Sequence, residues 1–184
     1  LKSNEVYIIG NGPSATRHRI GWKIDRASFV VRINNFQTAG HEQFVGTKTD
    51  LLFTCRLNEY ITTLNRFPEV ILCLLMNPLD GVTIPQELIN SPNVSRVITW
   101  DQVNDLTPSL GLRENCYPST GLLCILTMLE RFDRVNVTGF DNFENGNRHY
   151  FTPGPRLSPP RHDGPGERAI IEKLAESGRV IVVK

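Results

Sequence analysis

His149 stands before, and His162 within, a proline- and glycine-rich run, "TPGPRLSPPRHDGPGE" at residues 152–167, and the two bracket its proline-dense first part. A lone loop histidine is most often a solvated side chain. A pair bracketing one loop suits proton transfer near neutrality, where an unperturbed imidazole titrates at ~6.5. Two small-residue turns accompany them. "GNGPSA", residues 10–15, follows an apolar run and is expected to open a helix. There Gly12 would let the backbone approach a phosphate and Ser14 would add a hydroxyl donor. "PSTG" opens a second helical pattern, so Ser119, Thr120 and Gly121 form another helix start suited to an anion or a carboxylate. Two polar strand ends complete the set: Asn34 in "RINN", and Phe140 with Asp141 in "GFD". Each cluster also has a purely structural reading, as a turn, an Asx cap or an N-cap.

Positioning these groups at one edge takes a sheet. Seven short β-rich runs, at residues 5–10, 28–33, 50–54, 69–75, 94–100, 134–139 and 179–183, alternate with helical or polar segments. Several are apolar at nearly every position, as expected of strands covered on both faces in a parallel sheet. "STGLLCILTMLERF" sets Leu122, Ile125, Leu126 and Leu129 at helical spacing behind a Ser119 or Thr120 cap. "GERAIIEKLAESG" does the same with Ile170, Ile171 and Leu174, with Gly178 at C′. The pattern predicts an α/β fold: an open, mostly parallel Rossmann-like sheet flanked by helices, in one domain over residues 1–184. The run at 152–167 is too rich in Pro and Gly for helix or central strand, and reads as a functional loop.

Bulk properties set limits. The 184 residues carry a formal net charge of +1, which gives no global electrostatic case for nucleic acid or for an anionic membrane, although a total says nothing of a local basic patch. No apolar run approaches the roughly 20 residues that span a bilayer, so membrane association is expected only through segments outside this chain. Cys55, Cys73, Cys116 and Cys124 form no zinc spacing. Cys73 and Cys124 read as buried thiols, and a reducing compartment is expected.

"GNGPSA" also fits a dinucleotide fingerprint through Gly10, Gly12 and Ala15. That reading needs an acid at the end of the next strand to hold a ribose. Asn34 and Asn35 stand there instead, and no G-K-[ST] follows the glycines. An NAD- or FAD-binding oxidoreductase stays as a lesser alternative, as does a non-catalytic nucleotide-sugar-binding domain.

Taken in order, the clusters resemble the sialyltransferases of glycosyltransferase family 29, and more loosely the bacterial ones of family 42. "IIGNGPSA…ID…VVRINNF…G…VGTKTD" looks like the family's large motif. "PSTGLLCILTMLERFDRVNVTGF" looks like the small motif, "HYF" like the H-Y motif, and His162 with Glu167 like the final one. Only about residues 55–113 lack a recognisable signature. Secretory members pair a cysteine in the large motif with one in the small motif; the corresponding positions look like Tyr7 and Phe132, which implies that this disulfide is absent. That suggests a cytoplasmic protein, or one peripheral at the inner membrane.

The resemblance implies a GT-A-variant domain that moves a 2-keto-3-deoxy sugar acid from its CMP donor to a hydroxyl of a glycan or lipid-linked glycan, with inversion. Sialic acid is the expected sugar, with Kdo as the alternative. No D-x-D motif is present and no metal or other cofactor is expected, because fixed donors can stabilise a departing monophosphate. The implied general base is His162, with Glu167 orienting it or the helix start. His149 and Tyr150 would meet the departing phosphate. Asn11 and Asn34 would hold ribose and phosphate, aided by Gly12 and Ser14. Ser119, Thr120 and Gly121 would contact CMP or the sugar carboxylate, and Phe140 and Asp141 would line base and ribose. The loop at 152–165 would be a lid. Acceptor choice is expected in that loop and in "CRLNEY", residues 55–60.

Overall fold

The computed structural model describes residues 6–55, 64–73, 86–142, 149–152 and 161–183. All seven expected strands form: β1 (Val6–Ile9), β2 (Phe29–Ile33), β3 (Leu51–Thr54), β4 (Glu69–Cys73), β5 (Val94–Ile98), β6 (Val135–Thr138) and β7 (Val180–Val182). They make one sheet in the order β5-β4-β3-β2-β1-β6-β7, with every pairing parallel. The runs β1, β3 and β6 are buried at every position, as strands covered on both faces must be.

Side-chain alternation divides the apolar residues between two faces. On one face Val6, Ile8, Val31, Ile33, Phe53, Val135 and Val137 pack in the larger core, against α5 (Thr120–Arg131). On the other, Tyr7, Ile9 and Val30 pack with Ile24 of α1 (Gly21–Arg26) and Val45 of α2 (Glu42–Val45). Short helices α3 (Gln86–Ile89) and α4 (Trp100–Leu106) flank β5, the latter closed by a Thr99–Gln102 capping box. Helix α5 buries more than the expected stripe. Leu123, Cys124, Thr127 and Met128 are buried with Leu122, Ile125 and Leu129, while Leu126 is only partly covered. The helix lies against the middle of the sheet, so most of its circumference is core.

The proline-rich run needs a correction. Residues 153–160, and with them most of the expected lid, lie outside the described residues, but the end of the run is helical. Helix α6 (Gly164–Glu176) starts on "GPG", with Pro165 in its first turn. Proline is accepted there because the first amides of a helix have no internal partner. Asp163 caps the turn: Oδ1 accepts from the Gly166 amide at 3.2 Å and Oδ2 from the Arg113 amide at 2.9 Å. At the far end Gly178 takes the expected C′ position after Ser177.

Tyr7 and Phe132 lie on opposite sides of the sheet. Tyr7 belongs with Ile9 and Val30, whereas Phe132 stacks near Phe29, ring centroids 5.6 Å apart, against the other core. Side chains at these two positions could not be bridged, so they say nothing about a disulfide or about compartment. All four cysteines are thiols, and Cys73 and Cys124 are fully buried as expected.

The chain builds outward from β1 to β5, then crosses back to lay β6 on the other side of β1. This reversal makes β1 and β6 the switch point, the place where open α/β sheets hold ligands beyond the strand carboxyl ends.

Candidate functional site

The first turns beyond β1 and β6 are locked together. Gly10 N–H donates to Thr138 O at 2.8 Å and Gly12 N–H to Gly139 O at 2.9 Å. The fit excludes side chains: a Cβ on Gly10 would lie 2.4 Å from Gly139 O, and Gly139 itself has φ 76°. A Cβ on Gly12 would meet Asp141 Oδ2 at 1.9 Å. The glycines of "GNGPSA" therefore let two loops approach each other.

The anion site expected in this loop is occupied by the protein itself. The segment opens only a short 3-10 turn, Pro13–Thr16, and not an α-helix. The Ser14 N–H donates to Asp141 Oδ2 at 3.0 Å, and the Ser14 hydroxyl to the same oxygen at 2.9 Å. A carboxylate from the β6 loop thus takes the place foreseen for a phosphate, and the Gly12 amide is spent on Gly139. Asp141 acts as an internal cap on Ser14 through Oδ2. Phe140 is likewise a wedge, its ring 3.1 Å from the Cβ positions of both Gly10 and Gly121.

Asn11 and Asn34 link the strand ends. Asn11 Nδ2 donates to Ile33 O at 2.8 Å and to Asn35 O at 2.9 Å, while its buried Oδ1 has no hydrogen-bond partner among the described residues. Asn34 adopts φ 50°, and its Oδ1 accepts from the Cys55 amide at 2.9 Å and the Thr54 hydroxyl at 3.2 Å. An asparagine tolerates this left-handed conformation better than most residues.

Tyr150 joins the same group. Its N–H donates to Asn11 O at 2.9 Å and its phenol donates to Gln37 O. His41 packs edge-on to its ring at 5.1 Å, and burial pushes the phenol pKa upward. His149 precedes it, 5.1 Å from the ring of Phe151. Beneath them lies a residue the sequence reading passed over, Arg32. It is fully buried, with Nε donating to Lys48 O and Thr49 Oγ1, both at 3.0 Å, and Nη2 to Val45 O at 2.9 Å. Burial lowers its pKa to about 10, while the nearby Tyr150 and Asp25 favour its charge. The signal was a charged residue inside the otherwise apolar strand "FVVRI".

The second group forms at the start of α5. Ser119 is its N-cap, with Oγ accepting from the Leu122 amide at 3.2 Å. The Ser119 N–H and hydroxyl donate to Glu167 Oε1 and Oε2 at 2.7 and 2.6 Å. Its one O–H is thereby committed within the protein. Glu167 is 2% exposed, and burial pushes its pKa up to about 7, against the opposing pull of the two Ser119 bonds. So Glu167 orients the helix start, one of its two expected roles. The Thr120 hydroxyl reaches Cys55 Sγ at 3.2 Å.

His162 stands beside this cap. Its Nδ1 lies 3.1 Å from Tyr117 O, and its ring meets that of Tyr117 edge-on at 5.0 Å. A carbonyl partner makes Nδ1 the protonated nitrogen of the neutral ring and leaves the basic lone pair on Nε2. Burial lowers the pKa of His162 below its ordinary value, so the neutral form dominates at pH 7. The backbone pairing of Tyr117 N–H with Arg161 O, at 3.0 Å, holds this segment against the α5 start. Most of "CRLNEY", residues 56–60, lies outside the described residues.

Among known proteins, the family described as glycosyltransferase family 29 (sialyltransferase) matches residues 3–108 and 96–179. The sequence is similar to the CMP-N-acetylneuraminate-beta-galactosamide-alpha-2,3-sialyltransferase 1 of Homo sapiens, 27% identical over 196 residues, 96% of this chain and 57% of that protein. The Gallus gallus protein of the same name is 30% identical over 158 residues, 78% of this chain and 46% of that one. The chain spans about half the length of these curated relatives. A solved structure titled "Crystal Structure of a Mammalian Sialyltransferase" shares the fold, with a TM-score of 0.72 at 22% identity, covering 98% of this chain and 69% of that one. With nearly the whole sequence matched and the four motif clusters gathered at one sheet edge, the chain belongs to glycosyltransferase family 29, the sialyltransferases.

Proposed function

We propose that this protein transfers sialic acid from CMP-sialic acid to a hydroxyl of a glycan, with inversion and without a metal. The observation that carries the reading is His162, a half-buried imidazole anchored through Nδ1 to Tyr117 O, beside the helix start that Glu167 and Ser119 hold. A neutral ring with its lone pair on Nε2 is what a general base for the acceptor hydroxyl requires. As that oxygen attacks the anomeric carbon, the sugar–phosphate bond breaks and CMP leaves. His149, on the turn that Tyr150 N–H ties to Asn11 O, meets the departing phosphate, and Tyr150, its phenol bonded to Gln37 O, holds that turn in place. The Asn11 side-chain Oδ1, buried and without a hydrogen-bond partner among the described residues, suits a hydroxyl of the cytidine ribose. Asn34, Thr120 and Gly121 line the same edge. Because Asp141 already holds Ser14, the phosphate contact falls to the H-Y turn and not to the glycine loop.

The relatives' names speak for sialic acid over Kdo, and family membership speaks against a dinucleotide-dependent oxidoreductase. A donor screen tests the reading. CMP-sialic acid and CMP-Kdo are each offered with a galactose-terminated acceptor in the presence of EDTA, with His162→Ala as control. Transfer from CMP-sialic acid alone, lost in the variant, is expected. Transfer from CMP-Kdo alone, or none that depends on His162, overturns it.

A further inference from the structure

Residues 17–26 carry three net positive charges, whereas the rest of the chain carries two net negative ones. Elsewhere several cations are matched: Lys48, Arg96, Arg131 and Arg168 face carboxylates, and Arg32 is buried. Arg17, Arg19, Lys23 and Arg26 have no ion-pair partner among the described residues. The one anion of the segment, Asp25, is engaged elsewhere. Its Oδ1 accepts from the Thr47 and Lys48 amides at 2.7 and 2.8 Å. The inner side of α1 is held by Ile24, in the core, and by Gly21, whose Cβ position lies 1.9 Å from Glu42 O.

Trp22 is left on the outer side. It is 62% exposed, the most exposed large apolar side chain among the described residues, and Arg26 sits 5.4 Å from its ring centroid. Residues four apart share a helix face, so indole and guanidinium present one surface, approached by the exposed Arg17, His18 and Arg19.

We infer that this surface docks on an anionic membrane, with Trp22 at headgroup depth and Arg17, Arg19, Lys23 and Arg26 against lipid phosphates. A soluble polyanion needs the charges only. The exposed indole among them is what an interface between headgroups and acyl chains rewards. The location adds a reason that rests on the proposed transferase activity, although the docking does not. Helix α1 packs its inner side on α2, whose N-cap His41 touches Tyr150, so the docking helix is one element away from the reacting edge. A lipid-linked acceptor would be offered there.

The test is co-sedimentation of the chain with vesicles of phosphatidylcholine alone or mixed with phosphatidylglycerol, and with heparin as a soluble polyanion. Binding to the anionic vesicles only, weakening as salt rises, is expected. Trp22→Ala and the double variant Arg17→Glu/Arg19→Glu should each lower partitioning about tenfold, and Arg134→Glu, at the start of β6, less than about twofold. In a Trp100→Phe background the Trp22 emission should shift to the blue on anionic vesicles. The inference is overturned by equal binding to neutral vesicles or by none. It is also overturned by binding that survives both variants, or by heparin binding with no emission shift on vesicles, which would make the patch a polyanion site. Circular dichroism of each variant separates loss of docking from loss of fold.

Discussion

Ser14 and Asp141, 127 residues apart in sequence, are bonded twice, through the Ser14 amide and hydroxyl to one carboxylate oxygen. The bond closes the β1 and β6 loops on each other. Asp141→Ala should cost about 2 kcal/mol by urea unfolding, since it leaves an amide and a hydroxyl without their charged acceptor. Asp141→Asn keeps an acceptor and should cost about half as much. Equal midpoints for all three proteins would show that the link carries no stability.

Gly12→Ala is expected to be worse tolerated than its small size suggests. The new methyl meets the Asp141 carboxylate at 1.9 Å and Gly139 O at 2.8 Å. The side chain can swing aside, but the backbone carbonyl is held by its own hydrogen bond to the Gly12 amide. A loss of about 2 kcal/mol follows. The same unfolding assay checks it, and a neutral effect would mean that the loops are not packed as described.

Asn34 can be divided into structural and binding parts. Asn34→Ala strains a residue at φ 50° and strands the Cys55 amide and the Thr54 hydroxyl, at a cost of about 2 kcal/mol. Asn34→Asp keeps both accepted bonds and should remain within about 1 kcal/mol of the parent. If the amide NH₂ contacts the donor, the Asp variant loses CMP affinity in calorimetry while staying folded. Unchanged affinity removes Asn34 from the donor site.

Glu167 predicts a pH effect of definite sign. Its folded pKa of about 7 lies above an unfolded value of ~4.3, so the folded state holds the proton more tightly. Its contribution is full below about pH 4 and is lost as pH rises through about 7. The full swing is of order 3 kcal/mol. Subtracting Glu167→Gln melts from wild-type melts between pH 4 and 8 isolates this term. A difference that stays flat across the window would contradict the raised pKa.

His162 has the opposite sign. Its folded pKa is depressed, so whatever stability the neutral ring contributes is present above ~6.5 and is lost as pH falls through the folded value. As a base it must be neutral, which sets the acid limb of kcat/KM below ~6.5. His162→Ala should lower kcat by about 100-fold or more and leave CMP affinity near normal. An acid limb that persists in the variant belongs to another group.

Periodicity and composition foretold the layers well, because buried parallel strands must be apolar at nearly every position and α5 must carry its own apolar stripe. They misjudged "GPG" at residues 164–166, where the same proline that breaks a helix interior fits a first turn behind Asp163. They misjudged "GNGPSA" more instructively. The turn was read as an anion site from local backbone alone, and its occupant, Asp141, arrives from another strand. Glycine spacing cannot distinguish a ligand from a neighbouring loop when both require close approach. Arg32 was passed over because local patterning sees a strand and not what lies under it. The Ser119–Glu167 link was half legible, since an orienting role for Glu167 at a helix start was expected but Ser119 as its partner was not.

The placement of β6 beside β1 also bears on how the molecule comes into being. The strand that completes the reacting edge is synthesised well over 100 residues after β1, and it inserts next to it. A nascent chain ending before Val135 has a sheet edge at β1 and neither the Asp141 cap nor the His162 segment. Closing so long a loop is slow, because its entropy is lost before its contacts form. The exposed β1 edge is then the vulnerable intermediate, and competence for any ligand arrives in one late step with the docking of β6 and α6.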